Sequence, residues 1–448
     1  MKNALLLISF LVFNFGFSQN NSNNKFLQSG PMVGYCEMKE ALIWLQTTKN
    51  VPVKIEYFAV DNPTKIFVSE SHFTSKEVGF TYHIILDELQ PGKKYNYTVN
   101  IDNKKVVLPF ETSFSSKKLW QWREDAPDFS VAVGSCNYIG ETEVDRPGRS
   151  YGSGYGIFES INNKNPDIMV WGGDNIYLRE ADWDNKTGIY HRYSHTRKIN
   201  EIQKLLAKTQ NFAIWDDHDF GPNDSDRGFY FKNLTQKAFK DFWANKSYGT
   251  KPSQDEGVYS TFNWGDAQFF LLDNRFFKSP NDRKTGEKVM LGNEQMQWLI
   301  DNLVSSKATF KIIVIGGQVL NTAEVYENYS NYSNERAALL KEIQDNKIKG
   351  VFFISGDRHH SELSMQSREN NYSLLDWTVS PLTSGPATLE KVIKEDNKNR
   401  VAGSLFAQHA FGVINFSGKK DNRQMKLTLF DREGKELWSK VILKAELE

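Results

Sequence analysis

The chain has 448 residues, 39% of them hydrophobic and 13% aromatic, and its 55 Lys+Arg balance 55 Asp+Glu. That composition excludes a disordered chain, and zero net charge excludes a global field directed at nucleic acid or anionic membrane. The length allows two or three domains, with specificity left to local sites.

In chain order, residues 1–19 read as a secretory signal peptide: a basic end at Lys2, an apolar run over 4–17, then Ser18-Gln19. The run is too short to favour a membrane span, and no later stretch is apolar enough to cross a bilayer. The expected product is therefore a secreted or periplasmic protein that starts near Asn20.

Residues 20–115 read as an N-terminal all-β domain, with strands over 41–46 and 53–58 rich in β-branched and aromatic residues. The pattern Leu89-Gln90-Pro91-Gly92-Lys93-Lys94-Tyr95-Asn96-Tyr97 resembles fibronectin type III modules, which have an immunoglobulin-like sandwich and a tyrosine packed across it. His72 and His83 read as structural. A polar linker over 116–128, carrying Trp120 and Trp122, leads into a different texture.

From 129 to 448, short apolar strands at 168–171, 211–215, 269–272, 311–315 and 350–354 alternate with helices such as 293–305 and 334–345. Strands apolar on both faces imply a layered α/β fold. Residues 425–430 and 436–443 read as a closing hairpin.

Four loops that follow strands carry the chemistry. They are Gly134-Ser135-Cys136-Asn137, Gly173-Asp174-Asn175-Ile176-Tyr177, Asp216-Asp217-His218-Asp219 and Ser355-Gly356-Asp357-Arg358-His359-His360. Crowded carboxylates around an imidazole repel one another, so a cation or a reaction is needed to offset the cost. If the strands lie side by side, a thiol, a phenol, carboxylates and imidazoles meet at one rim, a mixture that suits two cations about 3.5–4 Å apart. Cys36 and Cys136 are the only cysteines. In an oxidising compartment they can form one disulfide; alternatively, the strand-end position of Cys136 makes it a metal ligand.

Together with Leu272-Asp273-Asn274-Arg275, Leu291-Gly292-Asn293-Glu294-Gln295-Met296-Gln297-Trp298-Leu299 and Ser380-Pro381-Leu382-Thr383-Ser384-Gly385, these loops resemble the PhoD-like (alkaline phosphatase D) family of the calcineurin-like metallophosphoesterase superfamily. The resemblance covers residues 129–448. It implies a four-layer αββα metallophosphoesterase sandwich behind the small all-β domain. It makes Asp174 the bridging carboxylate, with Cys136, Tyr177 and His359 on a first metal and Asp217 and Asp357 on a second. Ferric iron then suits the first position and calcium the second, with zinc or manganese as the alternative.

The implied reaction is hydrolysis of phosphate mono- or diesters by a metal-bound hydroxide, with Asp174 central and His218 as general acid. Asp216 or Asp219 is expected to orient His218. Arg275 and Asn223 are expected at the phosphate, with Arg146, Arg149 and Arg179 as weaker candidates. The aromatic loops 151–158 and 183–193 are candidate pocket walls. His191, His195 and His409 have no assigned role, and His360 is expected to face away. One departure stands out: Asn175 and Leu178-Arg179-Glu180 occupy places where the familiar form is aromatic after the aspartate and acidic after the tyrosine, which bears on substrate preference. The partner implied is a small phosphoester, with no nucleic-acid signature and the oligomeric state left open. A rival from another class is an exported binding protein on a degenerate hydrolase body.

Overall fold

The computed structural model describes residues 24–148, 150–249 and 257–448. The expected signal peptide and Arg149 lie outside the described residues.

The N-terminal region forms two antiparallel sheets. One contains Leu27–Cys36, Ala41–Thr47 and Thr81–Leu86; the other is built around Pro52–Ala59 and Lys94–Ile101. Side chains alternate along a strand, and here the alternation separates two cores. Ile43 and Leu45 pack with Val33, Ile55 and Tyr97 inside the N-terminal region, whereas Leu42 and Trp44 join the core of the rest of the chain. The Ala41–Thr47 strand is consequently buried on both faces. Tyr95 packs across the region's core, and its hydroxyl accepts a hydrogen bond from the Gln90 amide at 2.7 Å. His83 Nε2 lies 2.9 Å from the Trp243 carbonyl oxygen, a structural role.

Beyond residue 128 the chain builds two six-stranded sheets. In the first the order is Gln210–Ile214, Ile168–Gly172, Phe129–Gly134, Ala410–Ser417, Gln424–Asp431, Glu436–Leu443. In the second it is Ser260–Trp264, Ala267–Leu271, Phe310–Ile315, Val351–Ser355, Asn371–Thr378, Glu362–Arg368. The sheets face each other through aromatic rings: Phe212 stacks on Phe262 with centroids 3.7 Å apart, and Phe416 meets Phe310 at 5.3 Å. Helices add their apolar faces to the same core. In Asn293–Ser305 the fully buried residues include Leu299 and Leu303, with Met296 and Ile300 partly covered. Burying each of those two leucines contributes about 1.5–3 kcal/mol.

Parallel strands run side by side in each sheet: Phe129–Gly134, Ile168–Gly172 and Gln210–Ile214 in one, and Ala267–Leu271, Phe310–Ile315, Val351–Ser355 and Asn371–Thr378 in the other. Their C-terminal ends therefore reach a common edge of each sheet. Contacts between loops join the two edges. Ser135 Oγ donates to the Val379 carbonyl at 3.0 Å, and the Leu382 amide donates to the Ser135 carbonyl at 2.8 Å. Gly356 makes this approach possible, since a Cβ there would stand 2.6 Å from Ser135 Oγ and 2.8 Å from the Gly172 carbonyl oxygen.

Among the described residues, no helix is long and apolar enough to cross a membrane.

Candidate metal centre

At the joined edges the loops hold their functional residues in uncommon backbone conformations. Cys136, Asp174, Asp357 and His359 have φ of 60°, 51°, 64° and 54°. Non-glycine residues rarely adopt this left-handed region, and such strain collects at functional sites. Here it turns each side chain away from its strand into the shared space between the sheets. Cross-loop hydrogen bonds hold the turns: the Cys136 amide donates to the Gly173 carbonyl at 3.1 Å and the Asn137 amide to the Asp174 carbonyl at 2.7 Å.

Asp174 sits between two groups of ligand atoms. On one side, its Oδ2 is 3.7 Å from Cys136 Sγ and accepts from Tyr177 Oη at 3.2 Å. His359 Nε2 is 3.3 Å from Tyr177 Oη. The Gly385 carbonyl oxygen, an acceptor only, is 2.7 Å from His359 Nδ1. It fixes the proton on Nδ1 and leaves the Nε2 lone pair facing the cluster, as a metal-binding imidazole requires. On the other side, Asp174 shares a 4.8 Å cluster with Asp217 and His218, and Asp217 shares another with Asp216 and Asp357.

Electrostatics sharpen the case for cations. Burial, together with Asp217, Cys136, Asp216 and Asp219, holds Asp174 well above the usual carboxylate range. Burial and the Asp217 charge push Asp357 up to about 6, and burial pushes the Cys136 thiol up to about 12. Burial and Asp174 also hold the Tyr177 phenol well above its ordinary value. Asp217 moves the other way: burial raises it, but His218 and Arg275 outweigh that and keep it ionised below the ordinary range. Without a cation, protons must neutralise these donors; with one, the protons are released. Asp216 Oδ2 and Asp217 Oδ1 are buried without hydrogen-bond partners. Asp217 Oδ1 has only the Arg275 guanidinium, 3.6 Å away, and carboxylate oxygens so short of donors beside thiol, phenol and imidazole fit a mixed two-cation site.

The remaining acids have structural duties. Asp216 and Asp219 form a capping box on the short helix Asp217–Phe220. Asp219 also accepts from the Asn175 amide at 3.1 Å, and burial pushes it up to about 7. Neither aspartate contacts the His218 ring, which corrects the expectation that one of them orients it. The nearest acid is Asp217, 3.9 Å from His218 Nε2, and the ring packs on Tyr177 with centroids 4.2 Å apart. Burial lowers the His218 pKa, with Asp217 acting against that shift.

Arg275 departs from the expected phosphate clamp. Its side chain has no exposed surface and is paired with Asp216, with Glu327 and, at 3.6 Å, with Asp217. Lys278 joins it on Glu327. Arg275 is therefore a buried tie between acids. The Cys36–Cys136 disulfide is also corrected: both cysteines are free thiols. Cys36 is buried in the N-terminal core, whereas Cys136 stands beside Asp174 and His359 in a group of candidate ligands and accepts a hydrogen bond from Ser380 Oγ at 3.1 Å.

Two cavities meet at His218, Tyr151 and Asn223. One, of about 670 Å³, is walled by Tyr138, Arg146, Tyr151, Arg179 and Trp183. The other, of about 570 Å³, is floored by Asp174, Asp217, Asp357 and His359. Asn223 stands exposed at their mouth. Tyr151 and Trp183 thus line the cleft as expected, but Phe158 and Tyr193 from the same two loops are core residues. Arg146 pairs with Glu180 at 2.9 Å and Arg179 with Asp145 at 3.1 Å. His360 is fully buried and faces Glu362, away from the site. A larger cavity of about 760 Å³ lies against the N-terminal region, beside Lys117 and Trp264, far from the ligand cluster. Sequence reading missed Glu327 and Asp224, which complete a cluster with Asp217. Both lie in loops without periodicity, so no local pattern marks them.

Comparison with known proteins follows the same division of the chain. A family model described as PhoD-like phosphatase matches residues 131–427, and one described as a domain of unknown function (DUF7800) matches residues 24–119. Alkaline phosphatase D of Bacillus subtilis (strain 168) is 21% identical over 360 residues, a match covering 69% of this chain and 58% of that protein. The chain thus spans less than two thirds of the curated relative. Among solved structures, one described as PhoD superposes with a TM-score of 0.75 at 16% identity, covering 94% of this chain and 90% of that one. A purple acid phosphatase from yellow lupin (Lupinus luteus) seeds superposes at 0.67 with 13% identity, covering 93% and 75%. At these identities the two superpositions speak for the fold.

Proposed function

Since the chain belongs to the PhoD-like phosphatase family, we propose that it is a metal-dependent hydrolase of phosphate mono- or diesters, secreted or periplasmic. The observation that carries this reading is the position of Asp174 between a Cys136–His359 group and an Asp217 group of ligand atoms. Asp174 would bridge two cations, with Cys136, Tyr177 and His359 on the first and Asp217 and Asp357 on the second. The donor chemistry favours ferric iron in the first position and calcium in the second, with zinc or manganese as the alternative. We read the architecture as a four-layer αββα sandwich over 129–448, joined through a linker over 116–128 to a fibronectin type III or immunoglobulin-like module over 20–115.

Bound cations would supply charge neutralisation at the phosphoryl oxygens and acidify a nucleophilic water. The chain's own residues do the rest. His218, partly exposed where the two cavities meet, donates a proton to the leaving oxygen when its ring is charged, and Asp217 at its side favours that charge. Tyr177 holds the ring in place by packing against it at a tilt. Asn223, at the cleft mouth, offers an amide donor to phosphate oxygens. Tyr151, Tyr138 and Trp183 give the substituent an aromatic wall, and space on both sides of His218 suits a diester as well as a monoester.

The test is hydrolysis of an aryl phosphate and an aryl phosphodiester, with and without chelator, alongside elemental analysis of the native protein. Turnover that chelator abolishes and metal restores is expected. Fully metal-loaded protein that turns over neither substrate would refute the enzyme and leave a binding protein on a hydrolase body.

A further inference from the structure

Away from the Asp174 centre, Glu141, His191 and His195 bring three ligand atoms within 4.8 Å of one another. His191 and His195 lie four residues apart on the helix Lys186–Arg197, so one turn sets both imidazoles on the same face. Glu141 reaches them from the loop after the Phe129–Gly134 strand. Its Oε1 lies 2.8 Å from His191 Nε2 and 3.7 Å from His195 Nδ1.

With both imidazoles neutral, the proton inventory leaves this cluster one positive charge short. The Gly140 carbonyl oxygen, which can only accept, is 2.9 Å from His195 Nε2. Nε2 therefore carries the proton and Nδ1 presents a lone pair. That nitrogen is buried with no hydrogen-bond partner, and it faces a carboxylate oxygen that also only accepts. In the neutral ring two lone pairs thus oppose each other across 3.7 Å, a conflict that a second proton or a metal ion between them removes. Arg192 does not resolve the conflict, because its guanidinium lies against Glu141 Oε2 at 2.9 Å and Asp182 at 2.8 Å. Oε1 is left to the two imidazoles.

We propose that Glu141, His191 and His195 form a separate metal site that takes a divalent transition ion of the zinc class. Two imidazoles and a carboxylate suit zinc, whereas calcium takes oxygen ligands throughout. A tetrahedral ion with bonds of about 2.0–2.1 Å holds its ligand atoms about 3.4 Å apart, between the two distances observed at Glu141 Oε1. His191, with its side chain 49% exposed, provides the entry side and leaves the fourth position to water. The ion ties the helix to the loop whose Tyr138, Asp145 and Arg146 line the larger cleft cavity, and so stiffens one wall of the cleft.

The test uses the full-length protein with its centre metals in place, equilibrated with zinc chloride and then dialysed against metal-free buffer. Zinc per chain is measured in wild type, His191→Ala, Cys136→Ser and the double variant. Removing His191 is expected to lower zinc by one equivalent in either background, and to abolish a zinc-induced rise in melting temperature seen in wild type. Equal zinc in wild type and His191→Ala overturns the proposal. The pair without the cysteine change decides alone if Cys136→Ser does not fold, because the half-exposed His191 lies outside the core and its variant is expected to melt like zinc-free wild type.

Discussion

Replacing Arg275 by methionine tests whether its guanidinium ties acids together or holds substrate. The side chain is wholly buried beside carboxylates that are 1% to 4% exposed. At 3.6 Å from Asp217, the attraction is about 4–5 kcal/mol at an effective dielectric of 20. Two closer carboxylates add to it, while release of the guanidinium's own desolvation cost acts in the other direction. Breaking a buried pair in this way typically costs about 3–5 kcal/mol, and that is the loss of unfolding free energy expected for Arg275→Met in urea, followed by tryptophan fluorescence in chelator. The sign with pH follows from Asp217, whose folded pKa Arg275 helps depress. The deficit is full above the unfolded aspartate value of about 3.9 and shrinks as the pH falls below it. Added calcium should also narrow the deficit, because a cation at Asp217 takes over part of the compensation. A loss below about 1 kcal/mol, accompanied by a raised KM, would refute the tie and restore the clamp.

His218→Ala is expected to lower kcat by about 10²- to 10⁴-fold with bound metal unchanged; loss of metal in step with activity would make His218 a ligand. Gly356→Ala pushes a methyl group onto Ser135 and the Gly172 carbonyl. It should cost about 1–3 kcal/mol in urea unfolding and weaken metal retention, since Ser135 precedes Cys136; unchanged stability would mean that the two loop edges are not in contact. Glu362 gives a separate acid limb. Burial opposes its ionisation, but His360 and Arg400 overcome that and hold its pKa at about 2. Its contribution, about 3 kcal/mol at most, is present above about pH 4.3 and lost as the pH falls through the folded value, so Glu362→Gln should flatten that part of the stability profile.

The strand runs and their polar ends were legible because both signals are local. Residues 168–171 and 311–315 read as strands from their apolar side chains alone, and the observed elements Ile168–Gly172 and Phe310–Ile315 differ from them by a residue. Cys136, Asp174, Asp217 and His359 follow such strands directly, so parallel pairing brings them together. Less legible was the place of Ala410–Ser417, which inserts beside Phe129–Gly134. Its partner is set by distant sequence that no periodicity encodes.

The sequence by itself determined which donor types stand at the strand ends and that their crowding calls for cations, because charge, chemistry and strand position are properties of short segments. Only the tertiary structure decided how the acids divide their duties. Asp216 and Asp219 became a helix cap, Arg275 a buried tie to Glu327 from 52 residues further on, and His191 and His195 partners of Glu141 from another loop. A carboxylate's role depends on which cation, amide or imidazole meets it. That meeting is set by long-range packing between the two sheets and their loops.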